Sequence, residues 1–290
     1  MPGLLESASL QLRVARRLAP RRGATLAERL GRLDDRLVFV VGSPRSGTTF
    51  LAGAIGSVPG FVDLGEVAPV KAAVPELVGL PAAQAAQRLR RTLAIARRIG
   101  LVGSVRAVEQ TPEMAYLADV ALLAYPSARV VHIVRDGRDV VCSLLERGWL
   151  RAGRAGADDA GLPYGHEPRF WVEPERADEF RRASDVRRAA WAWRRYVSAA
   201  RTARGDVFEL RYELLAADPE CAAAALGAHL EAPVAPLAAA LRAVHAASVG
   251  RHRRDLDPDQ LAEVVEEAGD LLRELGYLDG GPGPGSSPVD

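Results

Sequence analysis

Residues 42–49 read Gly-Ser-Pro-Arg-Ser-Gly-Thr-Thr, and their one cation and four hydroxyls have the spacing of an anion-binding turn. Four apolar residues, Val38 to Val41, precede the turn and predict a short buried strand, and the apolar residues after it predict a helix. A turn between a strand and a helix directs backbone N–H groups and the helix N-terminus at one point, where an anion is favoured. The residues expected to contact that anion are Arg45, Ser46, Gly47, Thr48 and Thr49.

The turn differs from the loop of nucleoside triphosphatases, which reads G-x-x-x-x-G-K-[ST]. Gly42 and Gly47 keep the spacing, but Thr48 stands where that loop has its lysine, and the cation has moved to Arg45. We therefore expect the turn to bind an anion without the lysine that bridges the β- and γ-phosphates. A phosphotransferase with a modified loop stays open as an alternative, and it would need Mg²⁺ and carboxylates to hold the metal.

A second strand, turn and helix predict a second anion site. Val130 to Val134 reads as a buried strand, Arg135 follows it, and Ser143 lies eight residues further on, about two turns into the predicted helix. Ligands of open α/β sheets bind outside the carboxyl ends of the strands, where both motifs would lie. Two such sites suit a nucleotide that carries phosphates at both ends of its ribose.

At these residues the chain resembles the sulfotransferases that use 3′-phosphoadenosine-5′-phosphosulfate (PAPS). PRSGTT, residues 44–49, is similar to the loop that holds the 5′-phosphosulfate in that family, and Arg135 with Ser143 is similar to the pair that holds the 3′-phosphate. EQTP, residues 109–112, is similar to the family's EKTP, with Gln110 in place of a lysine that touches the transferred group.

Later segments continue the resemblance. RYELLAADPE, residues 211–220, is similar to the segment whose tyrosine, here Tyr212, lies near the adenine. SVGRHRRDL, residues 248–256, is similar to a basic loop that closes over the 3′-phosphate, which gives Arg251 and Arg253 as phosphate contacts. The resemblance implies transfer of a sulfuryl group from PAPS to a hydroxyl of a glycan, peptide, lipid or natural product. A non-catalytic scaffold that only binds the nucleotide stays open as well, because Gln110 carries no charge.

Sulfuryl transfer requires a group that takes the acceptor's proton. In several branches of the family this base is a glutamate about twenty residues after the phosphosulfate loop, and here Glu66 lies twenty-one residues after Arg45. We expect Glu66 and Arg45 to be catalytic; Asp63 is the competing base, and Lys71, the only lysine of the chain, reads as a surface residue. The residues expected to contact the acceptor are Gln110, His166 and Trp171.

Composition limits the classes of partner. The 38 basic residues nearly balance the 37 acidic ones, for a net charge of +1, so we expect no nucleic-acid partner. The two cysteines form no disulfide framework, no apolar run is long enough to span a membrane, and no pair of histidines with a third ligand has metal-site spacing. We accordingly expect no metal, no membrane-spanning segment and a cytoplasmic location, and the abundance of arginine and alanine is typical of a bacterial protein. The oligomeric state is left open.

The expected fold is a single α/β domain of the P-loop-containing type, with a central, mostly parallel sheet and helices on both faces. A helical leader over residues 1–36 precedes a sulfotransferase domain over 37–279, and a disordered tail follows over 280–290. The stretch 149–180 is rich in glycine, proline and aromatic residues, and we predict that it is a lid over the acceptor. A third predicted strand covers 208–211, and predicted helices cover 77–99, 115–124, 185–203, 222–230 and 236–247.

Overall fold

A sheet of five parallel strands forms the centre of the protein in the computed structural model, which describes residues 30–100, 102–154, 156 and 165–278. The strands lie in the order β2-β3-β1-β4-β5, and every neighbouring pair is parallel. Their bounds are β1 Val38–Val41, β2 Phe61–Gly65, β3 Arg106–Glu109, β4 Arg129–Val134 and β5 Val207–Arg211. The predicted α/β fold is confirmed, and β1, which carries the first anion-binding turn, is the central strand.

Side chains of β1 alternate between two apolar cores. Phe39 and Val41 point into the core on one face of the sheet, whereas Val38 and Val40 belong to the core on the other face. All four are fully buried, which is why this strand reads as a continuous apolar run rather than an alternating one.

Helices cover both faces of the sheet, as predicted. One face packs against α2, α3, α4, α5, α7 and α12, and the other against α1, α8, α9 and α10. The helices described are α1 Thr48–Ser57, α2 Ala68–Val78, α3 Ala82–Ile99, α4 Ala118–Ala124, α5 Gly137–Arg147, α6 Ala177–Arg182, α7 Asp185–Arg201, α8 Tyr212–Ala217, α9 Pro219–Leu230, α10 Val234–Leu241, α11 His252–Asp255 and α12 Pro258–Glu274. Short 3₁₀ segments lie at Pro112–Leu117, Pro174–Arg176 and Ala246–Ser248.

Some predicted bounds need correction. The single helix expected over 77–99 is two helices, because the backbone around Gly79 ends α2 and Pro81 precedes α3. The helix expected over 115–124 begins as a 3₁₀ segment, and the one expected over 236–247 ends at Leu241. Strands β2 and β3 escaped prediction because each is short and includes charged residues.

The predicted outer segments are only partly described. Most of the leader, residues 1–29, and the tail, residues 280–290, lie outside the described residues, as do 155 and 157–164 within the predicted lid. The described part of the predicted lid segment contains one 3₁₀ turn and the first four residues of α6, among them Phe180, which is fully buried. The predicted domain limits therefore stay predictions.

Among the described helices, none is both long enough and apolar enough to cross a bilayer.

Candidate active site

The first predicted anion-binding turn connects the carboxyl end of β1 to the N-terminus of α1. Arg45 has a positive φ of 74°, an uncommon conformation for a residue with a side chain, and such outliers concentrate at functional sites. Gly47, with φ 101°, begins α1, and a Cβ atom there would lie 2.9 Å from the ring of Tyr212. The turn thus requires glycine at position 47 for its backbone conformation and for its close contact with Tyr212, the first residue of α8.

Arg135 and Ser143 are brought next to this turn by β4 and α5. Arg135 follows the last residue of β4, and Ser143 lies two turns into α5. Arg45 Nε donates to Ser143 Oγ at 3.0 Å, and Arg135 Nη1 donates to the backbone carbonyl of Arg45 at 3.5 Å. The two motifs predicted from the sequence therefore meet in one place.

Both motifs line a single cavity of about 550 Å³ at the carboxyl ends of β1, β4 and β5. The predicted site residues that line it are Arg45, Gly47, Thr48, Thr49, Arg135, Ser143, Tyr212 and Arg251. Two others lie outside the lining: Ser46 is buried within the turn, and Arg253 is exposed. The cavity also has lining residues that were not predicted, including Glu146 and Ser248.

Positive charge dominates the cavity. In the part of the chain that the structure describes, three arginines, Arg45, Arg135 and Arg251, line it beside a single carboxylate, that of Glu146. Burial lowers the pKa of Arg45, and the charges of Arg147 and Arg135 lower it further. Two buried donors, Arg135 Nε and Ser46 Oγ, have no hydrogen-bond partner among the described residues. An anion in the cavity would relieve the repulsion and could supply acceptors.

Tyr212 is held by contacts on its ring and its hydroxyl. The guanidinium carbon of Arg135 lies 4.6 Å from the ring centroid, and the hydroxyl donates to the carbonyl of His245 at 3.1 Å. The ring therefore joins the end of β5 to the segment that precedes α11. A contact between Tyr212 and adenine stays a prediction.

Asp139, on α5, fixes the segment that resembles the phosphate-closing loop. Its carboxylate accepts from the backbone N–H of Gly250 at 2.7 Å and of His252 at 3.0 Å, and lies 2.7 Å from His252 Nδ1. Burial acts to raise the pKa of Asp139, but these hydrogen bonds lower it overall, so the carboxylate stays ionised. Arg135 adds a bond from Nη2 to the carbonyl of Ser248.

Glu66 lies at the same edge of the sheet, directly after β2, but does not line the cavity. Lys71 Nζ donates to Glu66 Oε2 at 2.7 Å. Lys71 is only 8% exposed, which corrects its interpretation as a surface residue. Because Lys71 belongs to the first turns of α2, the strand-to-helix connection itself brings ammonium and carboxylate together.

Gln110 lies between the Glu66 region and the cavity, since β3 is the strand between β2 and β1. Its backbone N–H donates to the carbonyl of Gly65 at 3.4 Å. The side chain is buried, and its Oε1 atom has no hydrogen-bond partner among the described residues. A neutral amide thus occupies the position that holds a lysine in the EKTP segment of the family that the sequence resembles.

Aromatic and acidic side chains follow Gln110 in the 3₁₀ segment and face α7. Tyr196 donates its hydroxyl to Glu113 Oε1 at 3.1 Å, and the rings of Tyr116 and Tyr196 are 5.3 Å apart, edge to face. Trp171 is 2% exposed and packs against the ring of Tyr196, so its side chain is part of the core, whereas His166 is partly exposed. Roles for Trp171 and His166 in acceptor binding stay predictions.

Comparison with known proteins gives the family of the chain. A family model described as the sulfotransferase family matches residues 86–236, just over half of the chain. The chain belongs to the sulfotransferase family. No curated protein matches it.

Solved sulfotransferase structures share the fold. The sulfotransferase domain from the curacin biosynthetic pathway superimposes with a TM-score of 0.53 at 14% identity, over 83% of this chain and 98% of that one. The sulfotransferase domain of the olefin synthase from Synechococcus PCC 7002 gives a TM-score of 0.50 at 14% identity, over 83% of this chain and 95% of that one. At this level of identity the likeness concerns the fold.

The family match begins at residue 86, so the anion-binding turn of this sulfotransferase lies outside the matched region, whereas Arg135, Ser143 and Tyr212 lie within it. The assignment of the family and the motif at residues 42–49 are thus separate observations. Among the described residues, no group of three or more His, Cys, Asp or Glu side chains is arranged to hold a metal ion.

Sequence reasoning missed the roles of two side chains at this site, Asp139 and Glu146. It also missed that Lys71 is buried. Asp139 reads as an ordinary acidic residue in the first turn of a helix, where a negative charge is favoured anyway. Its partner His252 is 113 residues away along the chain, and no spacing rule connects them. Lys71 offered one signal, that it is the only lysine in a chain whose other cationic side chains are arginines.

Proposed function

We propose that this protein transfers a sulfuryl group from PAPS to the hydroxyl of an acceptor. The observation that supports this most strongly is the shared cavity, in which Arg45 of the first motif donates to Ser143 of the second. A chain of the sulfotransferase family with two phosphate-type motifs in one cavity is suited to a nucleotide with phosphates at both ends of the ribose.

In this proposal the turn binds the 5′-phosphosulfate and the second motif binds the 3′-phosphate. Arg45 supplies the charge at the 5′ end, with the hydroxyls and backbone of the turn around it. Arg135 and Ser143 supply the donors at the 3′ end, and the basic segment adds further contacts. The residues in these roles are Arg45, Ser46, Gly47, Thr48 and Thr49 for the 5′ end, Arg135, Ser143, Arg251 and Arg253 for the 3′ end, and Tyr212 for the adenine.

The proposed reaction is an in-line displacement at sulfur. The acceptor oxygen forms a bond to sulfur while the bond from sulfur to the phosphate oxygen breaks, and adenosine 3′,5′-bisphosphate leaves. The acceptor's proton passes to the carboxylate of Glu66. Arg45 stabilises the charge that develops on the leaving oxygen, and Gln110 can add a neutral hydrogen bond. The acceptor belongs to the glycans, peptides, lipids or natural products that carry a hydroxyl.

Calorimetry with adenosine 3′,5′-bisphosphate tests the nucleotide site. We expect binding that persists in EDTA, followed by transfer of label from PAPS to one member of an acceptor panel. Tight binding of ATP with chelator-sensitive turnover, and no binding of the bisphosphate, would instead support the phosphotransferase. A chain that binds the bisphosphate but transfers no label to any acceptor or to water would be a scaffold.

Glu66→Gln tests the proposed base. We expect kcat to fall by about a hundredfold or more, since positioned general bases contribute on that order, while the affinity for the bisphosphate changes little because Glu66 does not line the nucleotide cavity. Glu76→Gln, which changes an exposed carboxylate on the same helix as Lys71, is the matched control. Unchanged turnover in the Glu66 variant would remove this residue from the mechanism.

A further inference from the structure

Ion pairs within the protein already occupy the guanidinium group of Arg251, one of the predicted phosphate ligands. Arg251 lines the cavity, yet carboxylates already engage all three of its nitrogen atoms. Nε donates to Asp255 Oδ2 at 2.7 Å, Nη1 to Glu146 Oε2 at 3.0 Å and Nη2 to Glu146 Oε1 at 2.5 Å. Nη2 also lies 2.6 Å from Asp255 Oδ2, so the two carboxylates occupy both edges of the guanidinium group at which two N–H groups point the same way. Arg251 therefore cannot bind a phosphate through two N–H groups unless one of these carboxylates leaves.

Glu146 is placed where an entering anion meets it. It lies on α5 three residues after Ser143, so both side chains are on the same face of the helix. Among the described residues that line the cavity, Glu146 is the only one with a carboxylate, and the others include Arg45 and Arg135. The negative charge of Glu146 in this otherwise positive cavity repels a phosphate that approaches the same donors.

The two carboxylates bound to Arg251 differ in how readily they can be released. The side chain of Asp255 is 20% exposed, lies four residues from Arg251 in α11 and also accepts from Arg254 Nε at 2.8 Å. The side chain of Glu146 is 61% exposed, so it regains water when the pair opens. The cost of opening an ion pair is small when its carboxylate is exposed and regains its hydration, even though Arg251 itself is 16% exposed. Glu146 is therefore the partner that a phosphate displaces.

We propose that Glu146 is an internal competitor for the nucleotide: it occupies Arg251 in the free protein, and the 3′-phosphate must displace it. The inference rests on the proposed function, because it takes adenosine 3′,5′-bisphosphate as the ligand. Its consequence is a site that holds Arg251 in place between reactions and binds the bisphosphate less tightly than its three arginines would allow. Such a restraint favours release of a product that carries the same two phosphates as the donor.

Calorimetry of Glu146→Gln with adenosine 3′,5′-bisphosphate at low salt tests this directly. We expect an affinity about five- to tenfold higher than that of the wild type. The variant loses the ion pair with Arg251 and the repulsion between the Glu146 carboxylate and the phosphate. The gain should shrink in 0.5 M NaCl, where charges are screened. Glu220→Gln removes a carboxylate that is similarly exposed and pairs with Arg242 away from the cavity, and it should leave the affinity unchanged.

A double-mutant cycle with Arg251→Met assigns the effect to the pair. If Glu146 acts by occupying Arg251, the gain from Glu146→Gln should be clearly smaller in the Arg251→Met background. Adenosine 5′-monophosphate, which lacks the 3′-phosphate, should show a smaller gain than the bisphosphate.

The outcomes separate this inference from the proposed function. Wild-type protein that does not bind the bisphosphate at all would contradict both. Wild-type protein that binds it, with Glu146→Gln binding equally or more weakly, would overturn only the role of Glu146, because the carboxylate would then orient Arg251 for the ligand rather than compete with it. An undiminished gain in the Arg251→Met background would overturn it as well.

Discussion

Glu109 is a carboxylic acid enclosed by protein at the end of β3, immediately before Gln110. Its side chain accepts hydrogen bonds from the backbone N–H of Thr111 at 3.1 Å and of Val67 at 3.4 Å, and from the hydroxyl of Thr111. Burial raises the pKa of Glu109 to about 7, despite these bonds. At neutral pH the group is therefore close to half protonated, and its charge lies next to Glu66.

Glu109→Gln should change how stability depends on pH. The folded-state pKa of about 7 lies above the reference value of 4.5, so the native state holds the proton more tightly and wild-type stability decreases as pH rises from about 4.5 to 7. The contribution is on the order of 3 kcal/mol over this window. The variant lacks it, so its free energy of unfolding relative to wild type should increase between pH 5 and pH 8. Urea titrations at both values measure this, and an equal difference at both would contradict the raised pKa.

At the residue scale, the sequence predicted side chains that belong to a motif but not their partners. The positions of Arg45, Arg135 and Ser143 could be predicted, because a turn between a strand and a helix lies at the carboxyl end of the strand. Asp139 and Glu146 could not, because their charges act on His252 and Arg251, which the chain brings back only after more than a hundred residues.

Helices α5 and α7 approach closely at Gly137. A Cβ atom at this position would lie 2.6 Å from the indole ring of Trp193, and Trp193 Nε1 donates to the carbonyl of Arg135 at 3.0 Å. The same indole thus supports the start of α5 and the backbone of a predicted phosphate ligand. Packing between two helices is in this way coupled to the position of Arg135.

Gly137→Ala should disturb both stability and binding. The added methyl group meets a buried ring that cannot easily move, and such overpacking costs about 1–3 kcal/mol. Displacement of the Arg135 backbone should also weaken binding of adenosine 3′,5′-bisphosphate. Gly53→Ala in α1 is the matched control, because its Cβ atom meets nothing within 4 Å, and there alanine should stabilise by up to about 1 kcal/mol. Thermal unfolding and calorimetry measure the two effects, and equal behaviour of both variants would contradict the contact.

At the element scale, burial decides what the sequence predicts. Strands β1 and β4 are buried on both faces and read as apolar runs, so they could be predicted. Strand β3 has Arg106 and Glu109 at its ends, and both are buried only because specific partners satisfy them. Helix α12 carries a capping box of Asp257 and Gln260, a signal that could have located it.

The buried carboxylate of Glu267 connects distant segments of the chain through ion pairs on one side of the molecule. This side chain on α12 is 1% exposed and pairs with Arg194 at 2.8 Å, Arg176 at 3.1 Å and Arg187 at 3.3 Å. Arg176 belongs to the predicted lid segment, and the other two arginines to α7. One charge therefore joins α12, α7 and the end of the predicted lid segment.

Glu267→Gln should lower the stability of the whole domain. The amide keeps the shape but leaves three arginines with less negative charge, and breaking a buried pair costs about 3–5 kcal/mol, which we reduce to about 2 kcal/mol because the arginines are partly exposed. Glu274→Gln, on the same helix and in an exposed pair with Arg201, should change stability by less than about 0.5 kcal/mol. Chemical denaturation compares the two, and similar losses would argue against a special role for Glu267.

At this scale the sequence predicted an α/β sheet with both faces covered, because alternating strand and helix patterns have few alternatives. The choice of acceptor could not be predicted in the same way. The residues predicted to contact it, Gln110, His166 and Trp171, come from separate segments of the chain, and no spacing rule gives their arrangement.

Because Lys71 is buried, proteolysis at this residue can measure the local unfolding of α2. An endoprotease specific for lysine has one peptide bond to cleave in the entire sequence, after Lys71, within α2 and beside the carboxylate of Glu66. Cleavage requires that α2 leave the sheet, so the rate at which a single pair of fragments accumulates measures the free energy of that opening.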